Sequence, residues 1–281
     1  MTTTARTQAL VLMTGVWDVV DLLEDWLRYH RSIGVEGVLA MDYGSTDGCL
    51  DVLGASEWLG FVSLVPFSGM TSNKNLAMTE HLRRTGSDAW AMCIDPDEFL
   101  VTESGDLGSL PVAGHGAEVL TIPRYDMSAA RSVAEQATDL RPSFADLDLR
   151  YVERDQGKVM VDLSSAVTPS ISGHEAEGPG ALAVDVEGMC LLHAPVRSYR
   201  KFVEKVDHAA VTLEANPQLP EGFAWHWRRW IRIRDEGGLR EEYLAQFVSD
   251  ELVSSVVADG TYARDGRLAA VLQRSRAAMD Q

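Results

Sequence analysis

The sequence predicts an α/β protein: a mixed, mainly parallel sheet covered by helices, followed by a helical C-terminal part. Two observations carry this. Short apolar runs alternate with segments of helical period through the N-terminal third of the chain, and after Pro195 the strand signals give way to helical ones.

Ala9 to Thr14 is the first strand candidate. Val19, Leu22, Leu23, Trp26, Leu27, His30 and Ile33 then recur at i, i+3, i+4, i+7 spacing, which predicts an amphipathic helix. Asp18 is a plausible N-cap for it and Gly34 a plausible stop. Val38 to Met41 is a second strand, ended by Asp42-Tyr43-Gly44-Ser45-Thr46-Asp47-Gly48. That loop is dense in turn formers, with Asp47 read as a helix cap, and a helix from about Cys49 to Glu57 follows. Phe61 to Pro66 is a third strand. Ser72 caps a helix running to about Thr85, and a fourth strand opens at Ala89.

The middle is less regular. Glu118 to Ile122, Val159 to Leu163, Leu182 to Val186 and Met189 to His193 read as strands between Gly/Pro/Ser-rich loops, notably Ser170 to Gly180. Tyr199, Phe202, Val203, Val206 and Ala210 suit a helix, and Pro217 to Gly222 a linker. Phe223 to Arg234 is aromatic and basic, and Leu239 to Val257 and Asp265 to Met279 read as terminal helices. The expected division is an α/β core over 7–194 and a helical region over 195–281 packed on it.

Charge narrows the partners. With 25 Lys+Arg against 42 Asp+Glu in 281 residues, the net charge is −17. Such a surface repels nucleic acid and anionic lipid, so neither is an expected partner. An anionic substrate then needs a local remedy, either a metal or a few placed basic residues. No apolar run approaches the ~20 residues of a membrane span. Cys49, Cys93 and Cys190 each lie in an apolar stretch, reading as reduced core residues. With no basic-then-apolar leader, a cytoplasmic location is expected.

Chemistry concentrates in Ala89-Trp90-Ala91-Met92-Cys93-Ile94-Asp95-Pro96-Asp97-Glu98-Phe99. A buried strand here delivers three carboxylates within four positions, and Pro96 ends the ladder. Packed acids repel unless a cation neutralises them. Alone, the stretch reads equally as a divalent-metal site at a strand's carboxyl end or as an acidic turn.

Five pieces in order resemble family 2 glycosyltransferases. They are Leu22 to His30 with Gly34-Val35; the loop Asp42 to Gly48; Asp95-Pro96-Asp97-Glu98-Phe99-Leu100; Leu192 to Tyr199 with Phe202 and Lys205; and Gly222 with Trp225-His226-Trp227-Arg228. The resemblance spans Met13 to about Arg232. It implies a GT-A-like (Rossmann-like) fold and inverting transfer of a sugar from a nucleotide diphosphate donor to an acceptor hydroxyl. It further implies that Asp42 meets the nucleobase, that Asp95 lies near ribose and metal, and that Asp97 binds the metal directly. His193 would be a further ligand, and mixed O and N ligation favours Mn²⁺ over Mg²⁺. Lys74-Asn75 and Arg228 are candidates for the donor's phosphates. Trp17-Asp18 stands where related chains carry a charged triplet, so Trp17 is offered as a base-stacking residue. An inverting transfer also needs a general base, for which Glu175 and His174 are both suitable. The donor is UDP-, GDP- or TDP-linked and the acceptor is open. The alternatives are a nucleotidyltransferase, a nucleotide-sugar hydrolase, or a non-catalytic nucleotide-sugar-binding domain.

Overall fold

The structure, a computed structural model, describes residues 9–66, 74–108, 117–137, 143–178, 183–219, 222 and 224–278. Ser72 and Phe223 lie outside the described residues, so the cap expected of Ser72 does too.

The elements are, in order, β1 (Leu10–Val16), α1 (Val20–Ser32), β2 (Gly37–Asp42), α2 (Cys49–Leu53), β3 (Val62–Val65), α3 (Lys74–Arg84), β4 (Trp90–Cys93) and β5 (Glu98–Thr102). β6 (Val119–Ser128), α4 (Arg131–Gln136), β7 (Leu149–Tyr151), β8 (Asp155–Asp162), β9 (Thr168–Pro169), β10 (Ala176–Glu177), β11 (Ala183–Asp185) and β12 (Met189–His193) follow. The C-terminal part holds α5 (Tyr199–Ala215), α6 (Trp225–Asp235), α7 (Leu239–Leu244), α8 (Val253–Ala258), β13 (Tyr262–Arg264) and α9 (Arg267–Ala277).

The chain forms two compact units. The first comprises 1–125, 153–193 and 270–281, and the second 126–152 and 194–269. The units are discontinuous in sequence, with breaks after residues 125, 152, 193 and 269. The 126–152 segment joins the second unit, because β7 pairs with β13 and the isolated bridge Ala130–Val248 ties it there. The last helical turns of α9 join the first unit, where Arg274 donates to Ser32 Oγ at 2.8 Å and Ser275 to Asp25. Long-range hydrogen bonds of this kind leave no trace in local composition.

In the first unit the strands run β3-β2-β1-β4-β8-β6, with β3, β2, β1 and β4 parallel and β8 antiparallel to both of its neighbours. This is the mixed, helix-covered α/β sheet expected from the sequence. One sheet face carries Met13, Leu39, Met41, Ala91, Cys93, Val119, Val159 and Val161 in a buried cluster with Met78 and Leu82 of α3.

α1 buries Leu22, Leu23, Trp26 and Leu27, each worth roughly 1.5–3 kcal/mol. It ends at Gly34, whose φ of +98° suits the C′ position. Its cap departs from expectation. Asp18 has a φ of +44° and does not cap the helix; instead Val20 N donates to Asp47 Oδ2 at 2.9 Å. Asp47 thus caps a helix 27 positions upstream, which sequence spacing cannot reveal.

α1 also presents polar groups to β5. Trp26 Nε1 donates to Glu98 O at 2.8 Å, Tyr29 Oη to Leu100 O at 3.0 Å, and Leu100 N donates to His30 Nε2 at 3.2 Å. β5 pairs with β12, and these side chains satisfy backbone groups that the ladder does not.

In the second unit the helix expected over Leu239–Val257 is divided into α7, a 3₁₀ turn and α8. Tyr243 at its centre is fully buried and donates to Arg197 O at 2.8 Å. Phe202 packs edge-on to Trp230 at 5.1 Å, joining α5 to α6.

Candidate active site

The acidic stretch forms a closed turn between β4 and β5. Glu98 N donates to Asp95 O and Asp95 N donates to Glu98 Oε2, both at 2.9 Å. Glu98 therefore opens a strand, and its side chain is fully buried. An isolated carboxylate there would be costly, but Arg124 Nη1 lies 3.0 Å away and Lys158 Nζ 3.5 Å away. Asp95 is met by Lys158 Nζ at 3.3 Å and Lys74 Nζ at 3.9 Å. Burial pushes the Asp95 carboxyl up, but the two ammoniums outweigh it and hold the group at about 2. Burial likewise opposes charge on both lysines, and Asp95 together with the other groups around them more than offsets it, keeping them above the ordinary lysine range.

Asp97 has a different neighbour. The antiparallel pairing of β12 with β5 sets His193 opposite Glu98, and His193 Nε2 comes to 3.7 Å from Asp97 Oδ2. An oxygen and a nitrogen donor side by side suit a divalent cation of the Mn²⁺ or Mg²⁺ kind. Asp95, expected as a third donor, is instead ion-paired with two lysines. Among the described residues no group of three or more His, Cys, Asp or Glu converges as metal ligands.

The loops after β1 and β2 lock together. Asp42 Oδ2 accepts from Gly44 N at 2.9 Å and from Ser45 N at 3.1 Å, while Asp18 Oδ1 accepts from Thr46 N at 2.7 Å. Tyr43 lies over Gly15, where an added methyl would stand 2.6 Å from its hydroxyl. Lys74 Nζ sits 5.7 Å from the Tyr43 ring centre. Trp17, Asp18, Asp42, Asp95 and Asp97 therefore gather at the carboxyl ends of β1, β2 and β4, where open α/β sheets bind ligands.

Other candidates fall elsewhere. Asn75 is fully buried; its Nδ2 donates to Ser170 O at 2.7 Å and Ile171 O at 3.1 Å, and Cys93 Sγ donates to its Oδ1. These bonds fasten the loop to α3. His174 and Glu175 line a hollow of about 230 Å³ with Val119, Thr121, Val159, Ala176 and Ala183, a wall that includes no acidic-turn residue. His174 Nδ1 is 2.8 Å from Gly157 O. Arg228 lies exposed on α6 of the second unit. Its neighbour Arg229 forks onto Glu242, with one arm at 2.7 Å, and Trp230 Nε1 donates to the same carboxylate at 3.1 Å. Trp230 is therefore a packing residue.

The sequence reading missed Lys158 and Arg124. The only signal was a single cation at the edge of each apolar run, Val159-Met160-Val161 and Val119 to Ile122.

No family model matches the chain, and no curated protein matches it. Among solved structures it is similar to S. aureus TarS 1-349 in complex with UDP, at 12% identity over 96% of this chain and 87% of that one, with a TM-score of 0.40. It is also similar to glucosyl-3-phosphoglycerate synthase from Mycobacterium tuberculosis in complex with Mg²⁺ and UDP, at 14% identity, 76% and 81% coverage and a TM-score of 0.39. S. aureus TarS 1-349 in complex with UDP-GlcNAc matches at 15% identity over 42% of this chain, with a TM-score of 0.33. The chain spans 35%, 39% and 65% of the length of three TarS structures that it matches.

Proposed function

We propose that the chain is a metal-dependent, inverting glycosyltransferase of the family 2 type, moving a sugar from a nucleotide diphosphate donor to an acceptor hydroxyl. The observation that carries this reading is the Asp97–His193 pair at the carboxyl end of β4. It stands in the same unit as the Asp42 and Asp18 loops and beside a turn that holds Lys74 and Lys158. Asp42 and Trp17 at the ends of β2 and β1 are assigned to the nucleoside, and Lys74 to the diphosphate. A divalent cation held by Asp97 and His193 would offset the charge of the departing diphosphate. Lys74 adds a fixed positive charge, so an acidic protein acquires the local remedy that an anionic donor demands. Glu175, with His174 as the second choice, is assigned to take the acceptor's proton; Arg228 is assigned to phosphate binding on its guanidinium chemistry alone.

The test is nucleotide diphosphate release from a panel of UDP-, GDP- and TDP-sugars with Mn²⁺ or Mg²⁺, alongside binding of the free nucleotides. Turnover with one donor, lost in Asp97→Asn and Glu175→Gln, is the expected result. No binding or turnover with any donor, together with unchanged metal affinity in Asp97→Asn, would sink the reading.

A further inference from the structure

Lys158 is 3% exposed, on a strand that continues as Val159-Met160-Val161. Burying an ammonium costs several kcal/mol unless its donors find acceptors and opposite charge. Lys158 Nζ has three such partners: Asp95 Oδ2 at 3.3 Å, Glu98 Oε2 at 3.5 Å and Ser172 O at 3.2 Å. They come from the end of β4, the start of β5 and the loop between β9 and β10. Glu98 already has Arg124 at 3.0 Å, so neutralising Glu98 does not by itself require Lys158. Among the described residues, it is Lys158 that joins Asp95 to the Ser172 carbonyl.

The same loop is held at other points. Asn75 donates to Ser170 O and Ile171 O, and Val159 N donates to Gly173 O at 2.9 Å. Gly173 has a φ of +72°, and a methyl there would lie 3.3 Å from Cys93 O and 3.5 Å from Lys158 Cδ. The loop therefore presses its backbone against the last residue of β4. Its side chains contribute little apolar anchoring, since Ile171 is 51% exposed. Polar and ionic contacts fix its place, and these are directional in a way that apolar packing is not.

We propose that Lys158 is a positioning residue, whose ammonium fastens loop 170–175 to the acidic turn and so fixes the relative placement of Asp95 and the His174-Glu175 segment. Its bearing on sugar transfer rests on the function proposed above; the fastening itself does not. Asn75 is the second fastener, acting from the first turn of α3.

The test uses the full chain with Lys158→Met, which keeps length and removes charge, and Lys158→Arg, which keeps charge. Amide hydrogen exchange is followed in peptides covering 170–176, with β1 peptides as internal control, and nucleotide diphosphate binding is titrated with Mn²⁺. Loss of a charge-assisted bond predicts about tenfold faster exchange in 170–176 or more, with β1 unchanged, and about tenfold weaker nucleotide binding. Lys158→Arg restores the larger part of both. Should Lys158→Met fail to fold, Lys158→Gln replaces it under the same criteria. Exchange that rises equally in β1 and 170–176, or not at all, overturns the proposal, as does equal loss in Lys158→Arg and Lys158→Met. If the parent chain binds no nucleotide diphosphate, the transferase reading fails, and the exchange comparison alone decides the fastening.

Discussion

Asp42 ends parallel strand β2 and Asp95 follows parallel strand β4; each starts a turn at the same end of the sheet, yet they are stabilised by unlike means. Asp42 accepts from the amides of Gly44 and Ser45 within its own turn. Asp95 is held by ammonium groups, one of them 63 positions away. The first turn is thus a local object that its own residues can build. The second turn closes on itself through Glu98, but its Asp95 charge is neutralised only once Lys158 of β8 and Lys74 of α3 have come against it. A carboxylate satisfied by its own loop can turn to a ligand with little disturbance to the fold. One that anchors a buried ionic cluster is tied to the stability of the whole unit.

The sharpest way to break this comparison is Glu98→Gln, which leaves Lys158 and Arg124 facing a neutral group. Lys158 keeps Asp95 and Arg124 keeps Asp155, so the cost is about 1–3 kcal/mol, read as a lower urea midpoint at unchanged m-value. A second contrast comes from His30, buried with Nδ1 at 2.9 Å from Trp26 O and lowered by that burial to about 3. Its folded value lies below the unfolded 6.5, so the unfolded chain takes up the proton first as pH falls. Stability is therefore full above pH 6.5 and is lost on the way down to about 3, by on the order of a few kcal/mol. The slope of stability against pH over that window should flatten in His30→Gln. Third, Asp97→Asn should weaken Mn²⁺ binding about tenfold or more, while Asp95→Asn weakens it several-fold less; equal losses would place Asp95 in the ligand set. Asp47→Ala removes the α1 cap and should cost about 1 kcal/mol, visible in thermal melts. The smallest effect is Asp42→Asn, about 0.5 kcal/mol or less in stability, with nucleotide affinity reduced although the melt barely moves.

Much of the first unit was legible because its signals are local. The helical period of Leu22, Leu23, Trp26, Leu27 and His30 matches the buried face of α1, and strand alternation located β1 to β4 within a residue or two. The resemblance of Asp95-Pro96-Asp97-Glu98 to a known motif directed attention to the right turn. It gave Asp97 to the metal and Asp95 to ribose and metal, and carried no sign of the lysines that meet Asp95. Asp47 reads as a cap for the helix that follows it, and its Oδ1 does accept from Cys49 N at 3.1 Å; its second role, at Val20 N of α1, lies outside what local spacing can show.

The sequence by itself determined the α/β class, the amphipathic face of α1 and the presence of an acidic turn at a strand's end, because each depends on residues within a few positions of one another. The tertiary structure alone decided which carboxylate is neutralised by protein cations and which is left beside a histidine. Lys158, Arg124 and His193 reach that turn through β8, β6 and β12, and pairing partners so distant in sequence are set by packing of the whole sheet.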